Sequence, residues 1–187
     1  FVQALAGTGK STTAIQAGKF MPGYKLYVAF NKKIADELGE KVKALGLQQA
    51  DAKTFHSIGM VAWGKFMGQK LNVQGRKVYQ ILEENRETVH EDYHTFIANL
   101  VNYAKQIGYG CAQFGHDDDQ LLMDLVDKHD LSSDLAKGAT LQEALRLTKK
   151  VLEINNSMKT IIDFNDMLYF PVLFDIKMPF QYDWVMV

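Results

Sequence analysis

Cysteine is almost absent from this sequence, and long apolar runs are absent altogether. The single cysteine, Cys111, excludes an internal disulfide framework and fits a reducing compartment, so we expect a cytoplasmic protein, or a nuclear one in a eukaryote. No apolar run approaches the roughly 18 residues that a membrane span needs, so no membrane partner is expected. No signal peptide is visible, and since the first residue is not Met we expect the native N-terminus to precede Phe1.

The residues that are present describe an ordinary globular chain with an uneven charge. Hydrophobic residues make up 47% of its 187 residues and charged residues 23%, enough for one sizeable core or for one domain that carries an insertion. Residues 1–80 contain 12 Lys or Arg against 4 Asp or Glu, whereas residues 81–187 contain 9 against 18. The basic half could therefore face a polyanion, and the acidic half is not expected to do so.

Strand and helix patterns alternate three times in the first 70 residues. Short β-prone runs each lead into a helical pattern, which predicts an α/β fold with a parallel sheet and crossover helices. The second helix should bury a stripe that begins at Ile34 and includes Leu38 and Val42. The predicted strands are 1–5, 25–30 and 50–55, and the predicted helices are 10–20, 31–45 and 56–67.

The pattern changes at about Leu71. No strand signal interrupts residues 75–160, where amphipathic helices predict an all-helical subdomain inserted into the α/β frame. A helix that stops near Pro171 should follow, and the last ten residues return to strand character. The expected organisation is therefore 1–70 for the first part of the α/β domain, 71–160 for the helical insertion and 161–187 for the return.

The strongest local motif is ALAGTGKSTT, residues 4–13, between a predicted strand and a predicted helix. It matches the phosphate-loop pattern except that Ala4 replaces the first glycine. Its glycines let backbone N–H groups converge on phosphate oxygens, and the helix directs its positive end to the same place. We expect Lys10 to reach the β- and γ-phosphates of a bound nucleotide and Ser11 to supply a hydroxyl to its Mg²⁺. They would be the two catalytic residues of a reaction that the loop alone does not specify, since kinases, GTPases and motor ATPases all use such a loop. The expected binding residues are Ala6, Gly7, Thr8, Gly9, Lys10, Ser11 and Thr12.

Four blocks in order resemble superfamily 1 DNA helicases of the UvrD/Rep type. LYVAFNKKIADEL (26–38) and AKTFHSIG (52–59) are similar to the second and third blocks of that family, and come closest to F-box DNA helicases and their phage or bacterial relatives. DFNDML (163–168) resembles the segment that precedes the Walker B strand, and YDWVMV (182–187) resembles the first half of that strand. Ala4 is typical of the family's phosphate loop. The resemblance implies a RecA-like P-loop fold and an ATP-dependent helicase or translocase that uses ATP and Mg²⁺.

The resemblance also implies contacts with single-stranded DNA. Blocks that directly follow parallel strands should share one edge of the sheet, and single strands are held by phosphate contacts and by stacking on rings. Several of these residues could instead be structural: the two phenylalanines could belong to the core, Lys32 could be a solvated helix start, and His56 could be a hydrogen bonder at a helix start. The expected DNA-contacting residues are Phe30, Asn31, Lys32, Thr54, Phe55, His56 and Ser57.

The family's acid pair for ATP hydrolysis would follow Val187, so we expect this stretch by itself to bind nucleotide weakly or to be inactive. Three other functions stay open. A small-molecule P-loop kinase would need an arginine-bearing lid, but residues 81–187 contain only Arg86 and Arg146. A non-catalytic nucleotide-binding module is the second. A zinc hydrolase is the most remote, and depends on HEDYH (90–94), which matches H-E-x-x-H.

Overall fold

The computed structural model describes residues 9–113 and 118–187 and shows a mixed α/β chain. The described residues divide into two compact units, one of residues 9–61 with 178–187 and the other of residues 62–177. The predicted strand at 1–5 lies outside the described residues. Among the helices that the structure describes, none has the length and apolar character needed to span a bilayer.

The first unit is built on a three-stranded parallel sheet. The strand order is β2–β1–β5, so the strand nearest to the C-terminus pairs directly with the central strand. The strands predicted at 25–30 and 50–55 are confirmed, as is strand structure near the end of the chain. The elements are α1 (Lys10–Ala17), a 3-10 turn (Gly18–Phe20), β1 (Lys25–Ala29), α2 (Lys32–Ala44), β2 (Ala50–Thr54), α3 (Phe55–Met67), which continues into the second unit, and β5 (Trp184–Met186).

The core of the first unit lies between β1 and its flanking helices. All five residues of β1 are buried, as a central parallel strand requires. On α2 the buried positions are Ala35, Leu38 and Val42, spaced i, i+3 and i+7, whereas Ile34 is exposed. The prediction that Ile34 begins the stripe is therefore wrong, because the face that meets the sheet starts one residue later.

Contacts between the residues just before β1 and the start of β5 hold the last strand on the sheet. The Tyr24 backbone N–H donates to Asp183 Oδ2 at 2.7 Å, and the Asp183 N–H donates to the Tyr24 carbonyl at 2.9 Å. The indole of Trp184 donates to the Pro22 carbonyl at 2.9 Å, and this side chain is 42% exposed. Trp184 is therefore not a core residue, and a backbone contact holds its ring at the edge of the sheet.

The second unit is helical, with one small parallel sheet. Two-residue strands β3 and β4 pair in register, Asn72 with Ile161 and Val73 with Ile162. The sequence pattern missed both because two residues are too few to show a period. The elements are β3 (Asn72–Val73), α4 (Lys77–Glu84), a 3-10 turn (Glu91–Tyr93), α5 (His94–Ile107), α6 (Asp119–Lys128), a 3-10 turn (Leu131–Asp134), α7 (Leu141–Ser157), β4 (Ile161–Ile162) and α8 (Asp166–Leu173).

Packing in the second unit follows the predicted apolar stripes. The main cluster of buried side chains comes from α4, α5, α6 and α7, and a smaller cluster surrounds Trp63, which is fully buried. Cys111 belongs to the smaller cluster, and burial raises the pKa of its thiol to about 11. The prediction of a helix that stops near Pro171 is confirmed, since α8 ends at Leu173, although the proline itself lies inside the helix. The helix reaches Leu173 because the Phe174 N–H still donates to the Phe170 carbonyl at 3.0 Å.

Two lysines and two aspartates form a buried charge cluster in the second unit. Lys77 Nζ lies 2.8 Å from Asp166 Oδ2, and Lys105 Nζ lies 2.9 Å from Asp166 Oδ1 and also pairs with Asp163. Asn155 Nδ2 donates to Asp166 Oδ1 at 3.1 Å. Burial alone would raise the pKa of Asp166, but Lys105 and Lys77 hold that pKa below its ordinary value.

Candidate functional site

The carboxyl edge of the parallel sheet brings two sequence blocks together. β1 and β2 pair in register so that Ala29 lies opposite Thr54, the last residue of each strand. The residues after them, Phe30 and Phe55, therefore leave the sheet side by side, on strands separated by about 4.8 Å. The sequence-based expectation that the two blocks share an edge is confirmed for these residues.

Both phenylalanine rings face solvent. Phe30 is 87% exposed and Phe55 is 45% exposed, so neither ring is a core residue. Exposed aromatic rings beyond the ends of two adjacent strands provide flat apolar surfaces of the kind on which nucleic-acid bases stack. The alternative that these rings pack inside the sheet core is wrong, because the strands end one residue before each of them.

Asn31 and Lys32 form the start of α2. Asn31 has extended backbone geometry, and its Oδ1 accepts from the Ile34 N–H at 2.9 Å, so this side chain caps the helix. The cap uses only the side-chain oxygen of Asn31, so its amide nitrogen can donate to another group. Lys32 is the first helical residue and is exposed. The start of α2 thus presents helix N–H groups, one amide and one ammonium group at the carboxyl edge.

Thr54 and Ser57 cap the start of α3 reciprocally. The Ser57 N–H donates to Thr54 Oγ1 and the Thr54 N–H donates to Ser57 Oγ, each at 3.1 Å. The Ser57 hydroxyl also donates to the Thr54 carbonyl at 2.8 Å, so its proton is already used. Thr54 Oγ1 only accepts in this arrangement, which leaves its hydroxyl proton for a further acceptor. His56 is partly buried in the first turn of α3.

The described end of the ALAGTGKSTT motif, from Gly9 onward, turns directly into a helix. Gly9 adopts the left-handed region with φ 83°, and its carbonyl accepts the Thr13 N–H at 2.9 Å, which starts α1 at Lys10. Lys10, Ser11 and Thr12 are exposed in the first turn of that helix. The other expected binding residues, Ala6, Gly7 and Thr8, lie outside the described residues, as does Ala4.

Packing connects α1 to the same sheet. Ile15 of α1 is fully buried in a cluster with Tyr27 and Ala29 of β1 and Ala35 of α2. Gly18 allows close approach at the other end of α1, because a Cβ there would lie 2.2 Å from the Tyr27 hydroxyl oxygen. Since α1 leads back toward the amino end of β1, its first turn is directed toward the carboxyl edge.

Lys53 is a cation next to this edge that sequence reasoning did not single out. Its Nζ lies 3.0 Å from Asp51 Oδ2 and 3.1 Å from the Tyr182 hydroxyl, and it sits 5.1 Å from the centre of the Phe180 ring. Partial burial would lower the pKa of Lys53, but its bonds to Tyr182 and Asp51 raise it overall. Lys53 directly precedes Thr54 in the KTFHS stretch, so its place in that motif could have identified it as a candidate residue.

The lysines of the basic half are not all surface charges. Lys25 is buried in β1, where its Nζ donates to the Gly23 carbonyl at 2.7 Å. Lys77 is fully buried in the charge cluster of the second unit. The basic half therefore has fewer cations that could face a polyanion than the count suggests, because these two are bonded inside the protein.

The HEDYH stretch does not lie on one continuous helix. His90 precedes a 3-10 turn and pairs with Asp92 at 3.0 Å, whereas His94 begins α5 and its Nε2 lies 3.1 Å from the Val89 carbonyl oxygen. The H-E-x-x-H match predicts two histidines one turn apart on a single α-helix, and this prediction is wrong because the chain changes helix type between His90 and His94. Within residues 9–113 and 118–187, no group of three His, Cys, Asp or Glu side chains could hold a metal ion.

Comparison with known proteins adds no family assignment. No protein-family model matches the sequence, and no curated protein is significantly similar to it. The motifs and the arrangement of residues at the carboxyl edge of the first unit are therefore the features that bear on function.

Proposed function

We propose that this chain is part of the ATP-binding motor domain of a DNA helicase or translocase, with a RecA-like P-loop fold and a helical insertion. The observation that carries the proposal is the register of β1 and β2, which ends both strands at the same level. The FNK and TFHS blocks, which resemble DNA-contacting blocks of superfamily 1 helicases, therefore neighbour each other. A phosphate-loop motif that ends in a helix packed on the same sheet supports the same function.

The nucleotide half of the proposal uses the first turn of α1. Gly9 in the left-handed region lets the loop turn tightly into the helix, whose N–H groups favour phosphate oxygens. Lys10 reaches the β- and γ-phosphates, and the Ser11 hydroxyl binds the Mg²⁺ that accompanies ATP. The exposed ammonium and hydroxyl groups fit MgATP chemically. None of residues 1–187 is assigned as the base for hydrolysis, so binding is the property to measure.

In this proposal, single-stranded DNA binds at the carboxyl edge of the sheet, beyond the ends of β1 and β2. Phe30 and Phe55 offer rings for base stacking, and Lys32 with the N-terminal ends of α2 and α3 favours the negative backbone. The Thr54 hydroxyl is the better placed of the two capping hydroxyls to donate to a phosphate, because Ser57 has already used its proton. Single-stranded DNA is therefore the proposed partner.

Replacement of Lys10 tests the proposed binding of MgATP at the first turn of α1. We expect Lys10→Ala to weaken binding of a fluorescent MgATP analogue about tenfold or more, because a charged hydrogen bond to phosphate is lost. Lys19→Ala is the matched control, since Lys19 is an exposed lysine in the 3-10 turn after the same helix. Fluorescence titration of both variants measures the two dissociation constants. Equal binding by wild type and Lys10→Ala would refute the phosphate-loop assignment.

The same titration separates the alternatives. A helicase motor domain binds MgATP and also single-stranded DNA, with an affinity that falls steeply as salt rises. A non-catalytic nucleotide-binding module binds MgATP without the DNA. A kinase would transfer phosphate to a small acceptor, which assay of ADP release with candidate acceptors would detect.

A further inference from the structure

A cavity of about 390 Å³ in the second unit has an unusual lining. One wall is a face of α5 with polar residues at the spacing i, i+3, i+4 and i+7, and the other wall is the turn between β4 and α8. Solvated helix faces are usually rich in Lys and Glu, but this α5 face carries no charged residue. The lining residues are Asn99, Asn102, Tyr103 and Gln106 from α5, with Gly75, Asp163, Phe164 and Asn165.

The cavity lies where two parallel strands end. β3 and β4 run side by side, and the Gln74 N–H extends the pairing by donating to the Ile162 carbonyl at 2.8 Å. Gly75 follows β3 and Asp163 follows β4, and both line the cavity. Ligands of parallel sheets collect beyond the carboxyl ends of the strands, so this position favours a binding site.

The side-chain amides in the lining form hydrogen bonds with only some of their donor and acceptor atoms. Asn165 Nδ2 donates to Asn102 Oδ1 at 3.1 Å, and Asn99 Nδ2 donates to Asp134 Oδ2 at 2.8 Å. Among residues 9–113 and 118–187, no partner is present for Asn99 Oδ1, Asn165 Oδ1, Asn102 Nδ2 or either end of the Gln106 amide. The lining thus offers both donors and acceptors to a ligand.

The charge of the lining residues favours an uncharged ligand. Asp163 is the one charged side chain among the described lining residues, and it is neutralised by its pairing with Lys105. Its other oxygen accepts the Asp166 N–H at 2.9 Å. No lysine or arginine of the described lining is available for a phosphate, and Asp134 beside Asn99 would repel one.

Aromatic rings complete the lining. Tyr103 is stacked in parallel on His129, with ring centres 3.7 Å apart, which holds the tyrosine in place. Phe164 is 62% exposed and lines the same cavity. Carboxamides that bond base edges, together with aromatic rings that stack on base planes, are the side chains by which proteins recognise nucleobases.

We propose that this cavity binds a single nucleobase, presented either by a nucleoside or by an unpaired nucleotide of a single strand. The proposal does not depend on the function proposed above, because it involves neither the phosphate loop nor the carboxyl edge of the first unit.

Nucleosides test it without any contribution from phosphate. We expect adenosine, guanosine, cytidine or thymidine to bind in calorimetric titration, and Gln106→Ala to weaken that binding about fivefold or more. Gln142→Ala is the matched control, because Gln142 is an exposed glutamine on α7 of the same unit and is absent from the cavity lining. Gln106 is also exposed, so its variant should retain the wild-type unfolding midpoint.

Two strands of equal length, an oligothymidylate and its abasic analogue, identify the source of the base. Displacement of nucleoside by the oligothymidylate alone supports a nucleotide of a strand, and displacement by neither supports a free nucleoside. Failure of all four nucleosides to bind, equal binding of ribose, or equal effects of Gln106→Ala and Gln142→Ala would overturn the proposal. Lys10→Ala should leave nucleoside binding unchanged whatever it does to MgATP, so the two proposals fail separately.

Discussion

Phe30 and Phe20 have the same exposure but different surroundings. Each ring is 87% exposed, yet Phe30 follows β1 at the carboxyl edge and Phe20 ends the 3-10 turn after α1. An exposed phenylalanine does not by itself indicate a function, since much of any protein surface is apolar. The neighbours of Phe30 suggest a role: Phe55 lies beside it and two helices begin there.

We expect Phe30→Ala to weaken binding of oligothymidylate about fivefold or more, since stacking of one base on a ring contributes roughly 1–3 kcal/mol. Phe20→Ala removes an equally exposed ring and should leave binding unchanged. Fluorescence anisotropy at several salt concentrations measures both. Equal losses in the two variants would show that the rings act only through general surface properties.

At the scale of elements, the contact of Asp183 with the Tyr24 N–H, which helps to attach β5, requires a glycine at position 23. Gly23 has φ 83°, and a Cβ there would lie 2.1 Å from Asp183 Oδ2 and 2.6 Å from Asp183 Cγ. That carboxylate oxygen is the acceptor of the Tyr24 N–H. Any side chain at position 23 must therefore displace the Asp183 carboxylate and break its bond to the Tyr24 N–H, which is one of several contacts between β5 and the start of β1.

We expect Gly23→Ala to lower the free energy of unfolding more than Gly46→Ala does. Both glycines have positive φ, so both variants carry a backbone cost of about 1 kcal/mol, but no atom lies within 4 Å of a Cβ at Gly46. The difference between the variants isolates the displaced Asp183 contact. Urea unfolding followed by circular dichroism measures it, and equal losses would mean that Asp183 rotates away without penalty.

At the scale of the whole molecule, the buried charge cluster joins distant parts of the chain. Asp166 follows Lys77 by 89 positions and Lys105 by 61. The Lys77 ammonium also donates to the Asn155 carbonyl at 2.9 Å, which ties the end of α7 to α4. Removal of one partner would leave a buried charge without compensation, and that is more costly than loss of an exposed pair.

We expect Asp166→Asn to lower the free energy of unfolding by about 3–5 kcal/mol. Asp119→Asn, which breaks the exposed pair with Lys149, should have a much smaller effect. Because the folded-state pKa of Asp166 is depressed, its stabilisation is full above the unfolded pKa of about 3.9 and is lost as pH falls through the folded pKa.

Urea unfolding between neutral pH and about pH 2 provides the measurement for this prediction. The wild type should lose more stability below about pH 4 than Asp166→Asn, which no longer has the titrating group. Parallel pH profiles for the two proteins would contradict the assigned role of Asp166.

Local pattern predicted much of the frame and part of the candidate site. The strands at 25–30 and 50–55 and the long helices could be predicted because apolar period is a property of neighbouring residues. The shared edge of Phe30 and Phe55 followed from parallel strands of known order. The two-residue strands β3 and β4 could not be predicted, since they exist only through their pairing with each other.

The alternation of strands and helices, the phosphate-loop motif and the uneven distribution of charge can all be read from the amino-acid sequence, because each depends only on residue type and local spacing. Folding sets which charges are buried, as with Lys77 and Asp166, and which aromatic side chains are exposed, as with Phe30 and Trp184. It also brought the carboxamides of α5 to the turn after β4. These features depend on partners far apart in the chain, whose proximity no local pattern encodes.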